Sequence, residues 1–177
     1  MPWVVGPTVS GTATSACRFA EFRAKTYGLP IAPSWCMKPP SEKRKRTLAL
    51  QNRAERFSVG VNSCCPEKPP NTPSRTVWEQ LVAAADSVSN NLVEADGASS
   101  TADFIAKMQL TLREAKESTV CLAKLRRGRL AGFEKTMELG LEEEAGELSA
   151  IFATIVLNVS RRVERERKNR IPRQRKT

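Results

Sequence analysis

Apolar side chains recur at alternating intervals of three and four residues in successive stretches of this chain, and that rhythm ties it to α-helix before any other property is weighed. In the first stretch Leu50, Ala54, Phe57, Val61 and Cys64 fall on one face, with Gly60 weakening the helix and Pro66 ending it. In the second, Trp78, Leu81, Ala85, Val88 and Leu92 repeat the pattern behind Thr72-Pro73, where Thr can cap and Pro can occupy the first turn. The third carries Ile105, Met108, Leu112, Ala115, Thr119 and Leu122. Ser100-Thr101-Ala102-Asp103 reads as its capping box, with Asp in the Glu role, and Asp96-Gly97 marks the boundary before it. The fourth begins near Phe133 and holds Met137, Leu141, Leu148, Ile151, Phe152, Ile155 and Val159, with Gly140 and Gly146 expected to bend or interrupt it.

The spacing therefore predicts helices over about 47–65, 74–95, 101–126 and 133–166. Their simplest packing is an all-α, antiparallel up-down-up-down four-helix bundle spanning 47–163 with flexible basic termini. Aromatic residues make up only 6% of the chain, which favours helices joined through aliphatic side chains over a β-sandwich. Pro66, Pro69, Pro70 and Pro73 stiffen the connection between the first two helices.

Charge separates the ends from the middle. Residues 1–46 hold 8 basic and 2 acidic side chains, 161–177 hold 9 and 2, and 47–160 hold 12 and 15, so the formal +10 resides in the two ends. The leader, residues 1–46, is rich in proline, lacks sustained periodicity and closes on Lys43-Arg44-Lys45-Arg46, and it reads as mostly disordered. The basic tail occupies 164–177. Arg161, Arg162, Arg165 and Lys168 are spaced to form a basic face on the end of the fourth helix, extended by Arg167, Arg170, Arg173, Arg175 and Lys176. Cationic arms on a neutral scaffold attract polyanions through counterion release, with sequence-tolerant affinity that falls steeply with salt. The competing reading is a solvated tail in which Glu164 and Glu166 pair locally with Lys168 and Arg162.

The chain has no histidine, which removes His-dependent zinc sites, Ser-His-Asp triads and Cys-His dyads. The di-iron bundle site, built on Glu-x-x-His pairs, goes with them. Glu138, Glu142, Glu143, Glu144 and Glu147 point around their helix and read as a solvated face. Cys64 falls on the apolar stripe and Cys121 beside one, both placed for packing. Arg127-Gly128-Arg129 lacks the strand-turn-helix setting of a phosphate loop. No catalytic residue, metal site or cofactor is expected, and a non-enzymatic protein follows. The odd count of five cysteines without CxxC spacing, no secretory signal and no apolar run of membrane-spanning length point to a reduced cytoplasmic protein with no membrane partner.

The stretch from Ser87 through Asn91-Leu92-Val93-Glu94-Ala95-Asp96-Gly97, with Ala102-Asp103-Phe104-Ile105 and Leu112-Arg113-Glu114-Ala115-Lys116-Glu117-Ser118, resembles the signature of the 23S rRNA intervening-sequence proteins, a bacterial four helix bundle family. The likeness is close over Thr76–Leu125 and weaker over the first and fourth helices. It does not extend to residues 1–45, and Ala95 stands where a glycine is common. The family is similar to the accessory protein of diversity-generating retroelements, so the resemblance implies a homo-oligomer, a pentamer in that relative, with RNA or DNA and a nucleic-acid enzyme such as a reverse transcriptase as partners. Asn91, Glu94, Gly97, Phe104, Glu114 and Glu117 are the positions that match the motif. Asn91 and Glu94 lie one turn apart near the helix corner, where they can satisfy backbone groups or cross-link helices, and Glu114 and Glu117 are placed for surface pairs with Arg113, Lys116 or a neighbouring subunit. The expectation is a nucleic-acid-binding scaffold, with an interaction adaptor that binds no nucleic acid as the alternative.

Overall fold

The computed structural model describes residues 39–170, in which five helices follow one another: α1 Glu42–Cys64, α2 Thr72–Asp96, α3 Thr101–Gly128, α4 Phe133–Glu138 and α5 Leu141–Arg170. No strand occurs among the described residues. The chain divides into Met1–Ser41 and Glu42–Thr177, all five helices belonging to the second unit. The expected disorder of the leader falls largely on residues 1–38, outside the described residues.

α1 starts before the predicted position, so Lys43-Arg44-Lys45-Arg46 is helical and not part of a leader. Lys and Arg are good helix formers. Pro39 and Pro40 bar an earlier start, Glu42 favours the positive end of the helix, and Lys45 Nζ donates to Glu42 Oε1 at 2.7 Å. At the head of α2 the cap is Asn71, not Thr72: Asn71 Oδ1 accepts from Ser74 N at 2.9 Å, which leaves Pro73 inside the first turn. Ser100 caps α3 by accepting from Asp103 N at 3.1 Å, but the return bond runs from Ser99 N to Asp103 Oδ2 at 3.0 Å, one residue upstream of the capping-box position.

The long helices alternate in direction. Arg44 near the start of α1 pairs with Asp96 at the end of α2, Glu94 of α2 with Lys107 near the start of α3, and Arg126 at the end of α3 with Glu142 at the start of α5. α1 packs on α2, α2 on α3 and α3 on α5, while α1 meets α5 more sparingly. The second stripe is buried throughout, from Trp78 to Leu92. Burial of each large apolar side chain stabilises the fold by about 1.5–3 kcal/mol. On α1, Ala54, Phe57, Val61 and Cys64 are buried and Leu50 half-buried.

Two stripes differ from expectation. On α3, Ile105, Leu112 and Thr119 are half-buried, and Thr111 and Ser118 take fully buried positions. Their hydroxyls donate to the carbonyls one turn back, Lys107 at 3.0 Å and Glu114 at 2.9 Å, so each is buried with its polar group satisfied. Met137 is 45% exposed because the fourth stretch is broken: Gly140, at φ +61, separates α4 from α5 and removes Met137 from the stripe that Leu141, Leu148 and Phe152 continue. Gly146, the other expected interruption, passes within α5 without a break.

Candidate nucleic-acid interface

Two basic runs far apart in sequence meet at one end of the helical unit. The alternation of helix directions sends the start of α1 and the end of α5 to the same pole, where Lys43 and Thr47 of α1 line one cavity with Ile155, Val159 and Arg162 of α5. The end of α2 and the start of α3 complete its wall, and the cavity measures about 500 Å³. Of the run on α1, Arg44 is engaged with Asp96 and Lys45 with Glu42. Lys43 has no ion pair among the described residues.

The basic face of α5 divides in two. Arg161, Arg165 and Lys168 share a shallow groove with Asn158 and Glu164, whereas Arg162 turns to the cavity beside Lys43. Arg162, about 100° further round the helix than Arg161, lines the cavity and not the groove, so the expected four residues are split between the two. Local pairing accompanies this arrangement: Arg162 lies 3.9 Å from Glu166, Arg167 is 3.2 Å and Lys168 3.6 Å from Glu164. These side chains are mostly exposed, where such pairs contribute little. Arg170 is the last helical residue, and Arg173, Arg175 and Lys176 lie outside the described residues.

Of the motif residues, Asn91, Glu94, Gly97 and Phe104 lie at the same pole, whereas Glu114 and Glu117 fall in the middle of α3. Glu94 Oε2 accepts from Lys107 Nζ at 2.8 Å, joining the two helices, and that contact holds the Lys107 ammonium above its ordinary pKa. Asn91, half-buried, makes no side-chain hydrogen bond among the described residues. Gly97 closes α2 by donating its N–H to Glu94 O at 3.1 Å and Val93 O at 3.4 Å, at an ordinary φ of −90. Phe104, half-buried, forms part of the cavity wall. Glu114 is half-buried and Glu117 exposed, and neither side chain forms an ion pair among the described residues, so the expected pairs with Arg113 or Lys116 are not made within the chain.

Of the glutamates expected as a solvated face, Glu138 and Glu143 are exposed without an ion pair among the described residues, whereas Glu142, Glu144 and Glu147 meet arginines of other helices. Arg53 donates to both oxygens of Glu144, at 2.6 and 2.7 Å, and also to Glu147; Arg126 grips Glu142 at 2.7 and 3.1 Å. Those guanidinium bonds hold the Glu142 and Glu144 carboxyls below the usual carboxylate range. The spacing of the glutamates within one helix held no sign of this, because the partners come from α1 and α3. Such pairing offsets part of the negative charge of the pole opposite the basic one. Among the described residues no group of three or more His, Cys, Asp or Glu side chains gathers to hold a metal, and no helix is long and apolar enough to cross a membrane.

Cys64 and Cys121 are buried and Cys65 half-buried, and burial raises all three thiols above the ordinary range. This is the environment of packing groups and not of reactive thiolates.

No protein-family model matches the chain, and no curated protein matches it. One solved structure is similar to it, a protein of unknown function from the S23 ribosomal protein family of Bacteroides thetaiotaomicron. The likeness covers 62% of this chain and 96% of that one, at 19% identity and a TM-score of 0.49.

Proposed function

We propose that the chain is a non-enzymatic scaffold, an up-down-up-down four-helix bundle that assembles as a homo-oligomer in the cytoplasm and binds RNA or DNA electrostatically through its basic pole. A nucleic-acid enzyme such as a reverse transcriptase is the partner this surface would serve. The observation that carries the reading is the convergence of Lys43 on α1 with Arg162 on α5 around one cavity, beside the groove of Arg161, Arg165 and Lys168. Basic runs that project from opposite ends of a fold act separately. Gathered at one pole, they sum to a field that draws in a polyanion and is screened by salt. The tail beyond Arg170 adds Arg173, Arg175 and Lys176 to the same charge. Without aromatic residues in the tail, binding is expected to read charge and not base identity.

The test is fluorescence anisotropy with RNA and DNA at two salt concentrations, joined to light scattering, on the full chain and on residues 1–160. A closed oligomer whose salt-sensitive binding disappears with residues 161–177 supports the scaffold. An oligomer that binds neither polymer at low salt overturns nucleic-acid binding and leaves the alternative, an adaptor whose bundle surface docks a protein partner.

A further inference from the structure

The cavity at the basic pole has a second property that polyanion binding does not use: much of its lining is apolar. Leu50, Leu92, Phe104, Met108, Ile155 and Val159, drawn from all four long helices, form its wall. Its volume of about 500 Å³ lies within the range of roughly 300–1,000 Å³ typical of small-molecule sites. Lys43, Asp96 and Arg162 are the charged residues of the lining. Lys43 stands there without an ion pair among the described residues, and Arg162 stands there with only a 3.9 Å approach to the exposed Glu166. Asp96, the one carboxylate on the lining, is taken up by Arg44. Ser100 and Thr101 bring the first turn of α3 to the same rim, where the positive end of the helix adds to the field.

From this complementarity we infer that the cavity binds a small amphiphilic anion, a single aliphatic tail carrying a carboxylate or phosphate head. The tail removes the apolar wall from water, and the head lies between Lys43 and Arg162. A cationic head of the same length meets two like charges, and a neutral one leaves both cations unused. The inference shares Lys43 and Arg162 with the proposed nucleic-acid surface but rests on the apolar wall beside them, and it does not need the groove of Arg161, Arg165 and Lys168.

The experiment is calorimetric titration of the full chain with decanoate and with decylammonium, each below its micelle concentration, alongside methyl NMR. Decanoate is expected to bind at least about tenfold more tightly than decylammonium. It is expected to shift the methyl signals of Met108 and Ile155 while leaving those of Leu139, at the opposite end of the helical unit, in place. The Val159→Trp variant fills the cavity and should abolish binding, and Lys43→Glu with Arg162→Glu should invert the preference between the two heads. Because the methyl shifts are read on the unaltered chain, a variant that fails to fold does not spare the inference. Equal affinity for both heads, or no binding of either, overturns it. So does retention on phosphatidylglycerol vesicles with no decanoate-induced methyl shift, which would assign the pole to a lipid surface instead of a cavity.

Discussion

Gly132 and Trp78 meet so closely that a Cβ on the glycine would lie 2.9 Å from Trp78 Cζ2 and as near to the carbonyl oxygen of Cys64. Gly132 also sits at φ +87, and the preceding carbonyl, that of Ala131, accepts the Trp78 indole N–H at 2.8 Å. The loop after α3 is thereby locked onto α2. Gly132→Ala adds backbone strain to a clash with rigid neighbours and is expected to cost about 3 kcal/mol. Gly146 is the reverse case: it lies inside α5, and a Cβ there would meet nothing within 4 Å, so Gly146→Ala should stabilise by about 0.5–1 kcal/mol. Urea unfolding followed by circular dichroism checks both signs on one scale.

Acid should weaken the fold through the start of α5. Glu142 and Glu144 carry carboxyl pKa values below the usual range because Arg126 and Arg53 donate to them. In the unfolded chain both return to the ordinary glutamate value, so the unfolded state takes up protons first as pH falls. Their contribution is complete above the ordinary glutamate pKa and is lost as pH drops through it toward the depressed folded values. Glu144→Gln should cost about 1 kcal/mol at neutral pH and progressively less in acid. The midpoint of thermal unfolding of the two proteins, followed across that window, should converge; a constant separation would mean that the ion pair is not the cause.

The helices were legible in the sequence because each carries its own period, and the stripe from Trp78 to Leu92 is buried as a unit. Two kinds of feature escaped. Thr111 and Ser118 are core residues whose hydroxyls are satisfied by their own helix, so polarity is no guide to their burial. Arg53 and Arg126 find Glu144 and Glu142 across the packed helices, at separations of 91 and 16 residues that no local pattern encodes. The cavity escaped for a similar reason: Lys43 and Arg162 stand far apart in the sequence, and only the alternation of helix directions brings them to one wall. The charge imbalance itself was readable from composition, without the fact that both basic runs share a pole.

Thiol chemistry should rank the three described cysteines by access. Cys65 is half-buried, whereas Cys64 and Cys121 are 3% and 1% exposed. Burial raises all three pKa values, so at neutral pH the thiolate is scarce and reaction with a maleimide is governed by opening of the structure. Peptide mapping by mass spectrometry should show Cys65 modified first, with Cys64 and Cys121 labelled only as the chain unfolds. In urea at the unfolding midpoint the three rates should draw together. Early labelling of Cys121 under native conditions would show that α3 opens independently of the rest.

Neutralising the groove on α5 should separate charge at the basic pole from charge elsewhere. In Arg161→Gln, Arg165→Gln and Lys168→Gln combined, a duplex that contacts all three loses three phosphate partners, and the slope of log affinity against log salt should fall by about 2.7. Arg127→Gln, at the other end of α3, removes the same kind of charge from the opposite pole and should leave the slope unchanged. Single-residue members of the set should each lower the slope by about 0.9, with nearly equal effects on different duplex sequences, since phosphate contacts carry no base information. Equal losses from Arg127→Gln and from the groove variants would mean that overall charge, not the pole, drives association. A sequence-dependent loss would instead require direct contact between these side chains and base edges.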